Sequence, residues 1–411
     1  MRVMLAVLGI MLCVAAPAWA TVYVDPSCTY NGDGTLGEPC ATTVGATGPR
    51  NTWGGMPWQS GETYAQRANS TYAGMVDVTA SGVSSDERIT LTTYGSGSRA
   101  IIRGAGQQFG LYLRGAVSHI TLSNLEVFGV DSGIGNRFLV RLGNGPGEEA
   151  SDIHLIDLVL HDPVDPGGTS EADAIWGYCA DCTFDRVQIY DIPSDGIWLA
   201  NVGHFTLRDS RCERVATSGR NTGDCVQLGG TATGLTVQRN VLDHSSTEAK
   251  NAFIDLTSGG SGGVVEDNIF RMSSAGDQSI TSKTLVLSMD HLTVRRNQVI
   301  GGDWNFSYSG SGELYDNEFV GARSRGWQAA GTGQSVHAYR NRFIGTSSAI
   351  GLNVFGGPGD IRLTDNLVSG YGLGIQRSNE VRVMDQQNTF WANTQHAVGL
   401  VLDGSTRYVD K

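Results

Sequence analysis

One motif returns down most of this chain: an alternating apolar strand, then a polar residue or Asn, then two more strand residues. Its clearest copies are Leu235-Thr-Val-Gln-Arg-Asn240-Val-Leu242, Val264-Val-Glu-Asp-Asn268-Ile-Phe270 and Leu292-Thr-Val-Arg-Arg-Asn297-Gln-Val299. Asn317, Asn341 and Asn366 occupy the same point of later copies, and segments starting at Ile120, Ile153, Thr183 and Phe205 continue the series upstream without the Asn. Neighbouring copies are between 20 residues (Asn297 to Asn317) and 33 residues (Ile120 to Ile153) apart. Units of this size, with period-two strands and no helical face, cannot bury their apolar side alone and have to stack. The expected fold is therefore all-β, a right-handed parallel β-helix of about ten to eleven coils. The six Asn from Asn240 to Asn366 would form an inward ladder, because a buried amide without partners costs about 1–3 kcal/mol.

Around the repeat, Arg2, the apolar stretch Val3 to Ala16 and Ala18-Trp19-Ala20 read as an export signal over residues 1–20, with the mature chain starting at Thr21. Residues 21–100 lack the clear repeat and are expected to form an N-terminal cap with the first strands, and 101–411 the β-helix. An uncapped terminal coil would template aggregation. Tyr23-Val-Asp-Pro-Ser-Cys28 with Asn31-Gly-Asp-Gly34, together with the repeats, resembles exported bacterial β-helix proteins of the pectate-lyase-like group. That resemblance supports the fold and leaves the reaction open.

Charge and cysteine content narrow the partners. Lys plus Arg minus Asp plus Glu is 29 − 41 = −12, which argues against nucleic acid. No run after the signal reaches the length of a membrane span. The expectation is a secreted, extracellular or periplasmic monomer. Six cysteines remain after the signal, in close pairs Cys28 with Cys40, Cys179 with Cys182 and Cys212 with Cys225. Three disulfides are the natural reading for an exported chain, zinc at Cys179 and Cys182 being the alternative and a reduced, buried state the alternative for Cys212 and Cys225.

Aligning the second strands of successive units gives a column: Asp173-Ala-Ile-Trp176, Asp195-Gly-Ile-Trp198, Asp224-Cys-Val-Gln227, Lys250-Asn-Ala-Phe253 and Lys283-Thr-Leu-Val286. Stacking makes these side chains neighbours along a groove. Asp at a strand start is also ordinary turn chemistry, and a stacked Asp–Lys pair can be mere charge neutralisation. Strand parity turns Trp176, Trp198, Gln227 and Phe253 outward, where exposed indoles suit the apolar face of a sugar. His244 leads into Lys250, and Arg211, Arg214, Arg220 and Arg239 lie in the same stretch.

On a uronate polymer, β-elimination needs the carboxylate neutralised, a base for the C5 proton and an acid for the leaving oxygen. Asp173, Asp195 and Asp224 are expected to hold Ca2+ against the substrate carboxylate, with Lys250 as base and His244 as proton donor or alternative base. Basic residues act in this way in pectate-lyase-like enzymes, which is what the resemblance implies. Trp176, Trp198, Gln227, Phe253, Arg239 and Lys283 are the expected substrate contacts. Ser194-Asp-Gly-Ile197 and Gly223-Asp-Cys-Val226 resemble polygalacturonase-type signatures, in which Asp195 and Asp224 would be acid and base. Cys225 replaces the second Asp of the paired motif, and the remaining elements of that family have no clear match. An epimerase and a non-catalytic polysaccharide-binding β-helix complete the alternatives.

Overall fold

The computed structural model describes residues 20–133, 135–165, 170–217, 223–244, 254–256, 259–272, 283–330, 333, 335–355, 359–377, 381–398 and 405–409. Residues 1–19 and Arg220, Lys250 and Phe253 lie outside them. Among the described residues no helix is long and apolar enough to cross a membrane.

Each unit of the repeat makes three short strands, and every strand pairs in parallel with its equivalent one unit later. The result is three long sheets: a first of 14 strands, a second, entered at the short corner after it, also of 14, and a third of 13. The chain is a right-handed parallel β-helix. The 13 strands of the third sheet count thirteen coils, more than the ten to eleven expected. The extra ones are early: Thr63–Arg67, Thr71–Ala73 and Val76–Val78 already form a full coil inside residues 21–100. Their short apolar stretches carry neither the Asn nor a regular spacing, so sequence periodicity passes over them.

Inward positions of all three sheets form one continuous apolar core, from Val24 and Trp53 to Ile375 and Phe390. Thr21–Val24 pairs with Thr63–Arg67 and begins the first sheet. The segment between them packs Trp53 and Met56 into the core. There Trp53 lies buried, its indole N–H donating to Gln66 Oε1 at 2.7 Å, and the Gln66 amide donates to Ile101 O at 3.0 Å. The cysteines join as the three expected pairs, so Cys179 and Cys182 bind each other.

The Asn ladder runs inside the corner between the first and second sheets and is one member longer than expected. Asn240, Asn268, Asn297, Asn317, Asn341, Asn366 and Asn388 are all buried. From Asn268 on, each Oδ1 accepts the backbone N–H of the preceding member, as Asn297 Oδ1 does from Asn268 at 3.1 Å, while Asn240 Oδ1 accepts that of Ser210; each Nδ2 donates to a carbonyl one coil back, as Asn297 does to Val265 O at 2.8 Å. The corner is tight because the residue before each Asn takes a left-handed conformation, for instance φ 53° at Arg296. Those corner residues alternate in charge: Asp157, Arg186, Asp209, Arg239, Asp267, Arg296, Asp316, Arg340, Asp365. Each Arg reaches back to the Asp one coil earlier, with Nε to Oδ1 at 2.7 Å in all four pairs. Exposed pairs add little stability singly. Alternation does penalise any slip of one coil, which would set like charges together.

Replacing Asn297 by Ala leaves the Asn268 N–H without its acceptor and is expected to lower the unfolding free energy by about 1–3 kcal/mol. Urea unfolding measures this. A loss of only a few tenths would mean that the amide column does not tie the coils together.

Candidate functional site

The outward row of the third sheet forms a half-buried wall whose order is set by the strand register, with Tyr112 its most buried member. Asp77 pairs with Tyr112, Tyr112 with Arg141, Arg141 with Trp176, Trp176 with Trp198, and Trp198 with Gln227. Trp176, Trp198 and Gln227 thus stand where parity places them. The indoles stack on each other at 4.9 Å and 10°, Phe138 stacks on Trp176 at 5.0 Å, and Phe109 follows Phe138 at 5.9 Å. Arg141 covers Trp176 at 4.3 Å. Ring faces inside the stack are therefore occupied, and the wall presents ring edges to a ligand where stacked sugar faces were expected. After Gln227 the row continues with Asp255, not Phe253, because the third strand of that coil is set two residues further on.

The three carboxylates of the expected column do stack, but they are covered. Asp173, Asp195 and Asp224 are 0%, 6% and 1% exposed. Asp173 Oδ1 accepts the Asp195 N–H at 2.9 Å, and Asp195 Oδ1 accepts the Asp224 N–H at 2.7 Å. They form a second internal ladder, the carboxylate counterpart of the Asn column. Burial, reinforced by the Asp195 charge, holds the Asp173 carboxyl well above the usual range. Burial also raises Asp195 to about 7, with Glu171 and Asp255 adding to it. These residues do not fit one Ca2+ ion. Calcium takes six to eight oxygens, whereas here one oxygen each of Asp173 and Asp195 serves the next coil. Ligand atoms of the three do not converge.

His244 is fully buried, 3.4 Å from Cys225 Sγ, and burial pushes its imidazole down to about 3. Parity in the strand Val241–His244 turns it inward, so it cannot meet a polymer in the groove. Arg239 belongs to the alternating corner, paired with Asp209 at 2.7 Å on a different face. Arg211 and Arg214 pair with Glu213 and Asp191. Lys250 lies outside the described residues. Lys283 does fall in the third-sheet column, opposite Trp304.

Upstream in the same row lies a group that the column alignment, begun at Asp173, passed over. Tyr112 and Arg114 line an open cleft of about 490 Å³ together with Gln108 and Phe109. The Tyr112 hydroxyl donates to Asn144 Oδ1. Arg114 and Arg141 lie against its ring at 4.7 and 5.8 Å. Arg114 is held by Asp77 through two bonds, at 3.0 and 2.8 Å. Arg141 donates to Asn144 O at 3.1 Å and makes no ion pair among the described residues; its Nε is buried without an acceptor. Extending the column back by one and two coils from Trp176 would have found both.

A second titratable cluster sits on the first sheet, where Asp152 takes Arg88 at 2.6 Å, His119 at 2.6 Å and His154 at 3.2 Å. Burial opposes the ionised form, but the His119 and Arg88 bonds outweigh it and hold Asp152 below the usual carboxylate range. Both oxygens are used within the chain, so the cluster ties three coils together.

No protein-family model matches the chain, and no curated protein matches it in sequence. Among solved structures, a mannuronic acid specific polysaccharide family 6 lyase from human gut microbiota is 15% identical, with a TM-score of 0.59 over 86% of this chain and 87% of that one. The alginate lyase AlyF-OU02 is 11% identical, TM-score 0.45, over 86% and 83%. A mutant of the periplasmic alginate epimerase AlgG is 10% identical, TM-score 0.43, over 80% and 77%. The likeness to the family 6 lyase is one of fold, the right-handed parallel β-helix.

A carboxyl raised on folding from its ordinary 3.8 to about 7 favours the native state below about pH 4, and that contribution is lost as pH rises through 7. Asp195→Asn keeps the acceptor for Asp224 and removes the titration. At pH 8 it is expected to be more stable than the parent by on the order of 2–4 kcal/mol, with no difference near pH 4. Thermal melts across pH measure it, and parallel profiles would show that Asp195 is ionised at no cost.

Proposed function

We propose that the third-sheet groove cleaves a uronate-containing polysaccharide by β-elimination, outside the cytoplasm. The observation that carries this reading is Tyr112 lining the cleft, its ring covered by the guanidiniums of Arg114 and Arg141, with the aromatic wall leading away along the coil axis. In the reaction the C5 proton passes to a base, its electron pair forms the C4–C5 double bond, and the C4–O bond breaks. The departing oxygen takes a proton. Arg114 is engaged by Asp77, so Arg141 is the group that meets the substrate carboxylate, where a charge-assisted bond is strong. Tyr112 carries the proton, positioned by Asn144. Lys250 retains its expected role as a base on sequence grounds alone.

The solved lyase of similar fold acts on mannuronic acid polymers, which makes them the first substrate to try. The three disulfides suit an oxidising compartment. Hydrolysis has one observation in its favour: Asp195, at about 7, has the protonation of a general acid. Its burial, and that of Asp224, stand against it.

Purified protein is assayed on uronate polymers for the ultraviolet absorbance of the new double bond, with reducing ends counted in parallel. Tyr112→Phe is expected to lower kcat by about 10²–10⁴-fold, Arg141→Gln to lower kcat/KM on uronates, and Asp195→Asn to leave turnover unchanged. Reducing ends without absorbance, lost in Asp195→Asn, would replace elimination by hydrolysis. Binding without either signal would make the groove a recognition surface.

A further inference from the structure

Beyond the aromatic wall the third-sheet column changes character. Lys283, Trp304 and Arg325 are register partners on three successive coils. The Lys283 ammonium lies 5.0 Å from the Trp304 ring centre and the Arg325 guanidinium 4.5 Å from it, so the indole stands between two cations. All three are half-buried. Among the described residues neither cation has an ion pair. The carboxylate next in sequence to Trp304, Asp303, is taken by Arg323 at 2.7 Å. Arg325 donates to Gln328 Oε1, and its Nε is buried with no acceptor. Burial alone pulls its guanidinium below the ordinary value.

The chain has a net charge of −12 and three lysines in all. The corner arginines at 186, 239, 296 and 340 each sit on an Asp. Partly desolvated cations without counter-charges are disfavoured unless an anion completes them. Cation–π contact with Trp304 offsets part of that cost, about 1 kcal/mol for each, and fixes both groups facing the same row. Ser307 and Gln328, three residues further along the same strands and register partners of each other, add polar, uncharged side chains to the neighbouring row.

We propose that Lys283 and Arg325, held by Trp304, form a subsite for an anionic substituent, a carboxylate or a sulfate ester, on a polysaccharide lying along the third sheet. The inference rests on the groove assignment above for the path of the polymer, not on the reaction. Lys283 lies five coils beyond Arg141, about 24 Å at ~4.8 Å per coil. A long chain can therefore engage both positions, and a disaccharide only one.

The test is calorimetric binding, without reading turnover. Long oligouronates, sulfated neutral oligosaccharides and uncharged oligosaccharides are titrated at low and high salt into the whole protein and into Lys283→Gln/Arg325→Gln. The double variant is expected to bind one or both anionic probes about tenfold more weakly, with a shallower salt dependence, and the uncharged probe equally. Lys283→Arg should retain binding. Which anionic probe responds distinguishes carboxylate from sulfate. Equal affinities of parent and double variant for both anionic probes would overturn the subsite. Should the double variant melt early, Lys283→Gln alone decides by the same comparison. A protein that binds through these residues but cleaves nothing loses the proposed reaction and keeps the subsite.

Discussion

Parallel backbone hydrogen bonding between successive coils places every side chain of this molecule. A parallel strand cannot be closed by a hairpin, so each coil must travel through three strands before it meets its own equivalent. Sequence neighbours then lie on different faces, and residues 20 to 35 apart become contacts. The wall made by Tyr112, Arg141, Trp176, Trp198 and Gln227 exists only because five strands keep the same register. A slip of one residue in any of them would turn that side chain into the core.

Register is defended at several corners with different chemistry. Inside the first corner, amides satisfy backbone groups that water cannot reach. Outside it, Asp and Arg alternate coil by coil. Entering the third sheet, Asp173 and Asp195 do the work of the amides with carboxylates. Asn suits a buried ladder because it is neutral and both donates and accepts. Asp only accepts when ionised, and burying it stacked on another Asp holds it toward the protonated form. The two ladders look alike in backbone terms and differ in electrostatic cost, which gives the carboxylate column a pH dependence that the amide column lacks.

Charge is distributed unevenly in consequence. Asp and Arg pair coil by coil along the first corner, while on the third sheet Arg141, Lys283 and Arg325 lie against aromatic rings and make no ion pair among the described residues. A chain that is acidic overall thus presents, on one face, cations held by indoles and by desolvation. Net charge describes long-range steering and says nothing of such a local arrangement.

The repeat, the Asn column, the cysteine pairs and the outward parity of Trp176 and Trp198 were all legible in the sequence, because each depends on spacing along one strand or one turn. Stacking of equivalent positions was legible where coils are similar, so the alignment of Asp173, Asp195 and Asp224 holds. It failed at Phe253, where loop length shifts the strand by two residues and Asp255 takes the place. Which way a residue faces at a corner was decided only by tertiary structure. A strand alternates, which turns His244 inward, but a corner turns consecutive side chains inward, and this is how Asp195 came to be buried. Pairing decided the rest. Arg239 has a partner in Asp209 that lies 30 residues away, Trp176 and Trp198 have each other, and Lys283 and Arg325 have only an indole between them, distinctions that exist only once coils are stacked.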